Sequence, residues 1–117
     1  MHNYKNLDIW KEAMTLARQV YEVTKNFPDV EKFGMVSQMT RAAVSVPSNI
    51  AEGAGRETDK DFIHFLSIAV GSLFELNTQI QLSEQIGYLT KEQSLLLQDQ
   101  ITKLECKTAA LKERLRQ

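Results

Sequence analysis

Apolar residues recur at helical spacing in four stretches of the chain, which are separated by three short connections. The first helix is predicted for residues 8–26, with Asp8 or Asn6 as its N-cap and Phe27-Pro28 as its stop. The second is predicted to begin after Pro28, with Asp29 as its cap. Because short loops between long helices favour antiparallel neighbours, the pattern predicts one all-α domain over residues 1–117, an antiparallel up-down-up-down four-helix bundle.

Capping signals mark the starts of the third and fourth helices. Thr58 is followed three residues later by Asp61, and Thr90 by Gln93, which completes an S/T-x-x-E/Q capping box. Gly87 is predicted to end the third helix. The third helix is apolar over most of its wheel and is predicted to be the central one, whereas the fourth carries a narrow coiled-coil-type stripe and is predicted to lie outside.

The first helix has an apolar face of about 180°, which is wider than the stripe of a little over about 100° that a bundle helix needs. The apolar half carries Ile9, Trp10, Ala13, Met14, Leu16, Ala17, Val20, Tyr21, Val23 and Thr24. A deeply seated helix would explain this width, as would contact with a fifth element or with another subunit. Contact with another subunit is favoured because a chain of 117 residues has few spare elements to cover the surplus.

The second helical pattern contains Pro47 and a continuous line of polar residues. An interior proline removes a backbone donor and clashes with the carbonyl four residues back, at about 3 kcal/mol or more, so a kink near Pro47 is predicted. We call the polar line the polar stripe. Its members are Gln38, Arg41, Ser45, Ser48, Asn49, Glu52 and Arg56. The stripe is either a solvated face, a buried network or a ligand site.

In the buried alternative, serine and asparagine side chains bond the carbonyls that Pro47 frees, and Glu52 pairs with Arg41 or Arg56. Glu75 of the third helix is a further predicted partner for either arginine, although solvent exposure is an equal alternative for it. Gly53 and Gly55, which lie between Glu52 and Arg56 of the stripe, are predicted to end the second helix.

Catalysis and metal binding are disfavoured. A serine nucleophile at Ser45 or Ser48 needs a nearby base, and the chain offers only His2 and His64. Asp61-Phe-Ile-His64 is a single imperfect copy of the Glu-x-x-His motif that di-iron bundles repeat on two helices. We therefore expect no enzyme activity, no cofactor, no metal and no small-molecule substrate.

Charge gives no global attraction to nucleic acid, since 14 Lys and Arg against 15 Asp and Glu leave a net charge of −1. Locally, residues 103–117 carry five basic and two acidic residues, whereas residues 61–90 contain no Lys or Arg. The candidate nucleic-acid-binding residues are Lys103, Lys107, Lys112, Arg114 and Arg116, joined by Lys11, Arg18 and Lys25 of the first helix. The alternative is an ordinary solvated face.

A single cysteine, Cys106, excludes an internal disulfide and fits a reducing compartment. The N-terminal residues do not resemble a secretory signal, and no run approaches the 18 apolar residues of a membrane span. A cytoplasmic protein without membrane partners is therefore expected.

Three segments carry a family resemblance: LDIWKEAMTLARQVYEVTKNFP, then FGMVSQMTRAAVSVPSNIAEGAGR, then FIHFLSIAVGSLFELNTQI followed by IGYLT. The most specific part is residues 45–53, SVPSNIAEG, and residues 71–76, GSLFEL, support it. Together they closely resemble the bacterial four-helix-bundle proteins encoded within intervening sequences of 23S rRNA genes. The resemblance covers residues 7–115.

This resemblance implies an all-helical bundle that assembles as a ring-like homopentamer. It also implies kinship with the accessory protein of diversity-generating retroelements, which binds nucleic acid and a reverse transcriptase through a basic surface. The present chain differs from that relative in its net charge of −1. The leading hypothesis is a non-enzymatic oligomeric scaffold, RNA-binding or ribosome-associated, whose partner is RNA or an RNA-associated protein. One alternative is a structural oligomer without nucleic-acid affinity, and another is a metal-binding or enzymatic bundle.

Overall fold

Four long α-helices and no strand make up the fold in the computed structural model, which describes all residues, Met1–Gln117. The helices are α1 (Asp8–Thr24), α2 (Met35–Ala54), α3 (Asp59–Gln85) and α4 (Lys91–Arg116). Short 3-10 helices at Tyr4–Asn6 and Asp29–Glu31 precede α1 and α2. The predicted all-α class and four-helix bundle are confirmed.

Each helix contacts two others, in the cyclic order α1, α2, α3, α4 and back to α1. Met39 near the start of α2 contacts Ser83 near the end of α3, and Gly53 near the end of α2 lies against Phe62 near the start of α3. The contacts of α2 and α3 therefore follow an antiparallel register. One cluster of 22 buried apolar residues fills the space between the helices.

No helix occupies the centre of the bundle, because no Cα atoms of α1 and α3, or of α2 and α4, lie within 8 Å of each other. The prediction that the third helix is central was therefore wrong. The apolar face of α3 is wide because the helix also carries apolar side chains that point to solvent. Phe74 is 58% exposed and Leu82 is 45% exposed.

The predicted start signals of α3 and α4 and the predicted end signal of α3 are confirmed. The Thr58 hydroxyl accepts a hydrogen bond from the Asp61 N–H at 3.1 Å. The Thr90 capping box is complete, with 3.0 Å hydrogen bonds in both directions between Thr90 and Gln93. Gly87 adopts a positive φ of 88°, the left-handed conformation that ends a helix at glycine.

The ends of α1 differ from the prediction. The N-cap is Leu7, which has no side-chain cap, so neither Asp8 nor Asn6 caps the helix. Asp8 is instead the first helical residue, where a carboxylate complements the helix dipole. The helix ends at Thr24, whose hydroxyl donates to the Val20 carbonyl at 2.9 Å.

The start of α2 lies six residues beyond the predicted cap Asp29, at Met35. Its cap comes from upstream, because the Glu31 carboxylate accepts the Met35 N–H at 3.0 Å. The second Glu31 oxygen accepts the Tyr88 hydroxyl at 2.7 Å. These bonds, the backbone one foremost, lower the pKa of Glu31, and the bond to Glu31 raises the pKa of Tyr88.

Pro47 is buried within α2, and the helix continues through it from Met35–Ala54 without interruption. The bend near Pro47 stays a prediction. Gly53 is still helical, and the helix ends one residue later, with Gly55 as its C-cap.

Candidate functional site

The polar stripe of α2 faces mainly solvent in the single chain. Its five exposed members are Gln38, Arg41, Ser48, Glu52 and Arg56. Ser45 and Asn49 are half-buried and form a small polar junction with α3. Most of the stripe is therefore solvent-exposed, and it makes hydrogen bonds to another helix at one place only.

At that junction the Ser45 and Ser72 hydroxyl oxygens lie 2.8 Å apart, which joins the middle of α2 to the middle of α3. The Asn49 amide donates to the Ser45 carbonyl at 2.8 Å and to the Ser45 hydroxyl at 2.9 Å. The carbonyl four residues before Pro47 belongs to Ala43. The prediction that asparagine bonds the freed carbonyl is therefore wrong, because Asn49 bonds a different one.

Of the predicted ion pairs, one is present. Arg56 donates to Glu52 at 2.9 Å, and its guanidinium also lies 4.7 Å from the centre of the Phe65 ring. Glu75 is exposed and receives only a long 3.5 Å hydrogen bond from Gln79. The predicted bridge from Glu75 to Arg41 or Arg56 does not form. Arg56 pairs with Glu52, one turn away, and Arg41 makes no ion pair.

The two histidines predicted as candidate bases make no hydrogen bond to Ser45 or Ser48. His2 lies beside Asp59 and Phe62, with its ring 5.1 Å from that of Phe62. His64 is exposed near the start of α3, with its ring 5.7 Å from that of Phe65. Ser45 contacts Ser72, which lies eight residues further along α3, or about 12 Å of helix. The structure therefore brings no histidine to either serine, and no three His, Cys, Asp or Glu side chains converge as metal ligands would.

All eight candidate nucleic-acid-binding residues lie on α1, just after it, or on α4, and these two helices are neighbours. Every one is exposed except Lys112, which is half-buried. Four are already in ion pairs: Lys25 with Glu22, Lys103 with Asp99, Lys107 with Glu12, and Arg116 with Glu113. The four without an ion pair are Lys11, Arg18, Lys112 and Arg114. The structure therefore places the basic residues on two neighbouring helices and balances half of them.

The pair between Lys107 and Glu12 joins α4 to α1 at 2.7 Å. Its hydrogen bond is the main reason that the pKa of Lys107 is raised, and the charges of Glu12 and Asp8 add to the effect. Lys107 is thus held in its charged form, but its charge is balanced by carboxylates of the same surface.

An apolar groove runs between α1 and α2, with a volume of about 600 Å³. We call it the α1–α2 groove. Its apolar lining is Tyr4, Trp10, Met14, Ala17, Tyr21, Val44, Pro47 and Ala51. Tyr21 is 52% exposed and Val44 is 41% exposed. The surplus apolar width of the first helix therefore opens into this groove, whose second wall includes Pro47.

The turn before α2 exposes two large apolar side chains that sequence reasoning missed. Val30 is 84% exposed and Phe33 is 89% exposed. We call these two residues the apolar knob. The sequence did carry a signal for this exposure. Val30 and Phe33 lie among the charged residues Asp29, Glu31 and Lys32, in a connection between helices where large apolar side chains are not needed for the core.

None of the four helices combines the length and the apolar content that a membrane crossing requires.

Comparisons with known proteins agree with the fold. A crystal structure of a protein of unknown function from the S23 ribosomal protein family of Bacteroides thetaiotaomicron superposes with a TM-score of 0.80. The two sequences are 22% identical, and the match covers 89% of this chain and 97% of that one. No curated protein matches the sequence. The family model of the 23S rRNA-intervening sequence protein matches residues 5–109. The chain therefore belongs to the 23S rRNA-intervening sequence protein family.

Proposed function

We propose that this protein is a non-enzymatic, self-associating scaffold, a homopentamer, that binds RNA or an RNA-associated protein. The observation that supports it most is the α1–α2 groove, where an apolar face too wide for its own bundle stays open to solvent. Large contiguous apolar patches on a protein surface mark interaction sites. A second copy of the chain would cover this face and explain its width.

Light scattering at micromolar chain concentration tests the assembly. A homopentamer would have a mass of about 67 kDa, five times the 13.4 kDa of the chain. An oligomer with another number of subunits would support self-association but contradict the pentamer. A monomer would contradict the proposal.

RNA is the proposed partner of the basic surface formed by α1 and α4. Lys11, Lys112 and Arg114 make no ion pair within the chain and are therefore available to phosphates, whereas Arg18, although also without an ion pair, borders the α1–α2 groove. Assembly would repeat this surface in every subunit, so that a weak patch on one chain becomes a multivalent one. The net charge of −1 predicts that such binding is local and sensitive to salt.

An RNA titration at two salt concentrations tests this partner. The double variant Lys112→Ala, Arg114→Ala removes two free cations, and it should reduce the slope of log K against log salt by about 1.4 to 1.8. Lys103→Ala is the matched control on the same helix, because Asp99 already pairs with that lysine at 3.1 Å. Equal effects of the two variants would argue against the assigned surface.

A purely structural oligomer without nucleic-acid affinity is the second candidate. The four internal ion pairs of the basic surface favour it, because they lower the positive charge that a phosphate would meet. Absence of RNA binding at low salt, in a protein that still assembles, would select this candidate.

A further inference from the structure

We propose that the apolar knob of one copy inserts into the α1–α2 groove of a second copy, so that the subunits join head to tail. Phe33 is the side chain that enters the groove. The inference rests on the proposed self-association and names the surfaces that would carry it. It commits to a second copy of this chain as the occupant.

The apolar knob is held outward by its own turn. Phe27 is buried, with its ring 5.1 Å from that of Tyr88. Glu31 is fixed on the same side by the 2.7 Å bond from Tyr88 and the 3.0 Å bond from the Met35 N–H. With these residues anchored inward, Val30 and Phe33 project into solvent, and little conformational freedom is lost when a partner covers them.

The knob cannot fill the groove of its own chain. Val44, which lines the groove, lies nine residues after Met35, or about 14 Å along α2. The knob precedes Met35 at the end of the bundle, whereas the groove lies along its side. Phe33 therefore needs a groove from another copy.

The groove suits an aromatic occupant in size and chemistry. Its volume of about 600 Å³ lies within the range of pockets that enclose small molecules, so it has room for a phenyl ring and the neighbouring valine side chain. Trp10 offers ring faces and edges, Met14 a flexible thioether, and Pro47 a rigid apolar wall.

The charges beside the two surfaces are complementary. Arg18 and Glu22 border the groove, and Glu22 already pairs with Lys25 of the same chain at 3.1 Å. Asp29 and Lys32 flank the knob, and the Lys32 ammonium lies 5.6 Å from the centre of the Phe33 ring. Neither Arg18 nor Asp29 makes an ion pair within the chain. An inserted knob therefore brings an unpaired carboxylate beside an unpaired guanidinium, which adds attraction and fixes orientation.

A contact between two different surfaces of the same chain is heterologous. Such a contact produces a ring when the rotation between neighbours closes, and an open filament when it does not. Head-to-tail insertion of the knob is therefore compatible with a closed pentamer.

Sedimentation or light scattering of Phe33→Asp tests the insertion, with circular dichroism to check folding. A buried carboxylate should weaken association at least about tenfold. Phe74→Asp is the matched control, because Phe74 is also exposed, at 58%, but lies on α3 away from both surfaces. Arg18→Glu and Asp29→Lys should each weaken association, and the two together should restore it.

Disulfide trapping gives an independent readout in a Cys106→Ser background. Phe33→Cys and Val44→Cys in one chain should produce a ladder of covalent oligomers on a non-reducing gel, and each single variant alone should not produce the ladder. A monomeric wild type would overturn the proposed self-association. An oligomeric wild type that forms no ladder and tolerates Phe33→Asp would overturn the knob insertion alone and assign the contact to another surface or the groove to another ligand.

Discussion

Two helical glycines provide a matched pair for testing how closely α2 and α3 approach. A Cβ atom placed on Gly53 of α2 would lie 2.7 Å from the Phe65 Cβ and 3.0 Å from the Phe62 Cδ1. A Cβ atom placed on Gly71 of α3 would have no neighbour within 4 Å. Gly53→Ala and Gly71→Ala thus make the same chemical change in opposite surroundings.

The expected free energies of unfolding follow from two opposing effects. Alanine is favoured over glycine in a helix interior by about 0.5–1 kcal/mol, which applies to both variants. At Gly53 the clashing atom is the Phe65 Cβ, which is fixed to the backbone, so α2 and α3 would have to separate by about 0.7 Å to reach the ordinary contact of 3.4 Å. Overpacking of this kind costs about 1–3 kcal/mol.

Gly71→Ala should therefore stabilise the protein by about 0.5–1 kcal/mol, whereas Gly53→Ala should be neutral or destabilise it by up to about 2.5 kcal/mol. The difference between the two variants, about 1–3 kcal/mol, isolates the clash because the helix propensity cancels.

Urea unfolding of both variants at one chain concentration measures this difference, since association would add a concentration-dependent contribution. For a chain of 117 residues, each kcal/mol corresponds to about 4 °C in Tm. Equal stabilisation by both variants would refute the close approach of the two helices at Gly53.

Three further predictions each concern the loss of one side chain that makes hydrogen bonds. Glu31→Gln should lower the free energy of unfolding at pH 7. The difference in this free energy from the wild type should become smaller as pH falls below the ordinary carboxyl pKa of 4.5, because the pKa of Glu31 is lowered in the folded state. Denaturation at pH 7 and pH 3 checks it, and a constant gap would contradict it. Thr90→Ala should cost about 1 kcal/mol by thermal unfolding through loss of its capping box. Ser45→Ala should cost about 1–3 kcal/mol, since it leaves the buried Ser72 hydroxyl unpaired, and a double-mutant cycle with Ser72→Ala should show coupling.

Features that depend on neighbours in the sequence were predicted well. The caps at Thr58 and Thr90 each need only a hydroxyl and a backbone N–H three residues later. Gly87 ends α3 because glycine alone lacks the Cβ that disfavours a positive φ. The apolar spacing likewise predicted four helices, because the period of a helix is a local property.

Features that depend on distant contacts were predicted less well. The start of α2 is set by Glu31, whose carboxylate is held by Tyr88, 57 residues away in the sequence. Sequence patterns favoured Asp29 as the cap, because nothing local indicates where Tyr88 lies. The predicted ion pair of Glu75 was wrong for the same reason. A helical wheel shows which side of its own helix a charged residue occupies, but it does not show which partner lies nearest in space. For Arg56 that partner is Glu52.

The α1–α2 groove depends on two separate properties of α1: the width of its apolar face and the way the helix is placed in the bundle. The pattern of α1 showed that its apolar face was too wide, but it did not show which edge of that face stays open. Packing buries Ile9 and Ala13 and leaves Tyr21 half in solvent, so the open edge faces α2. Pro47 then has a role that requires no bend, because its ring is part of the opposite apolar wall. A residue that looked costly as helix architecture is thus accounted for by the surface that it helps to form.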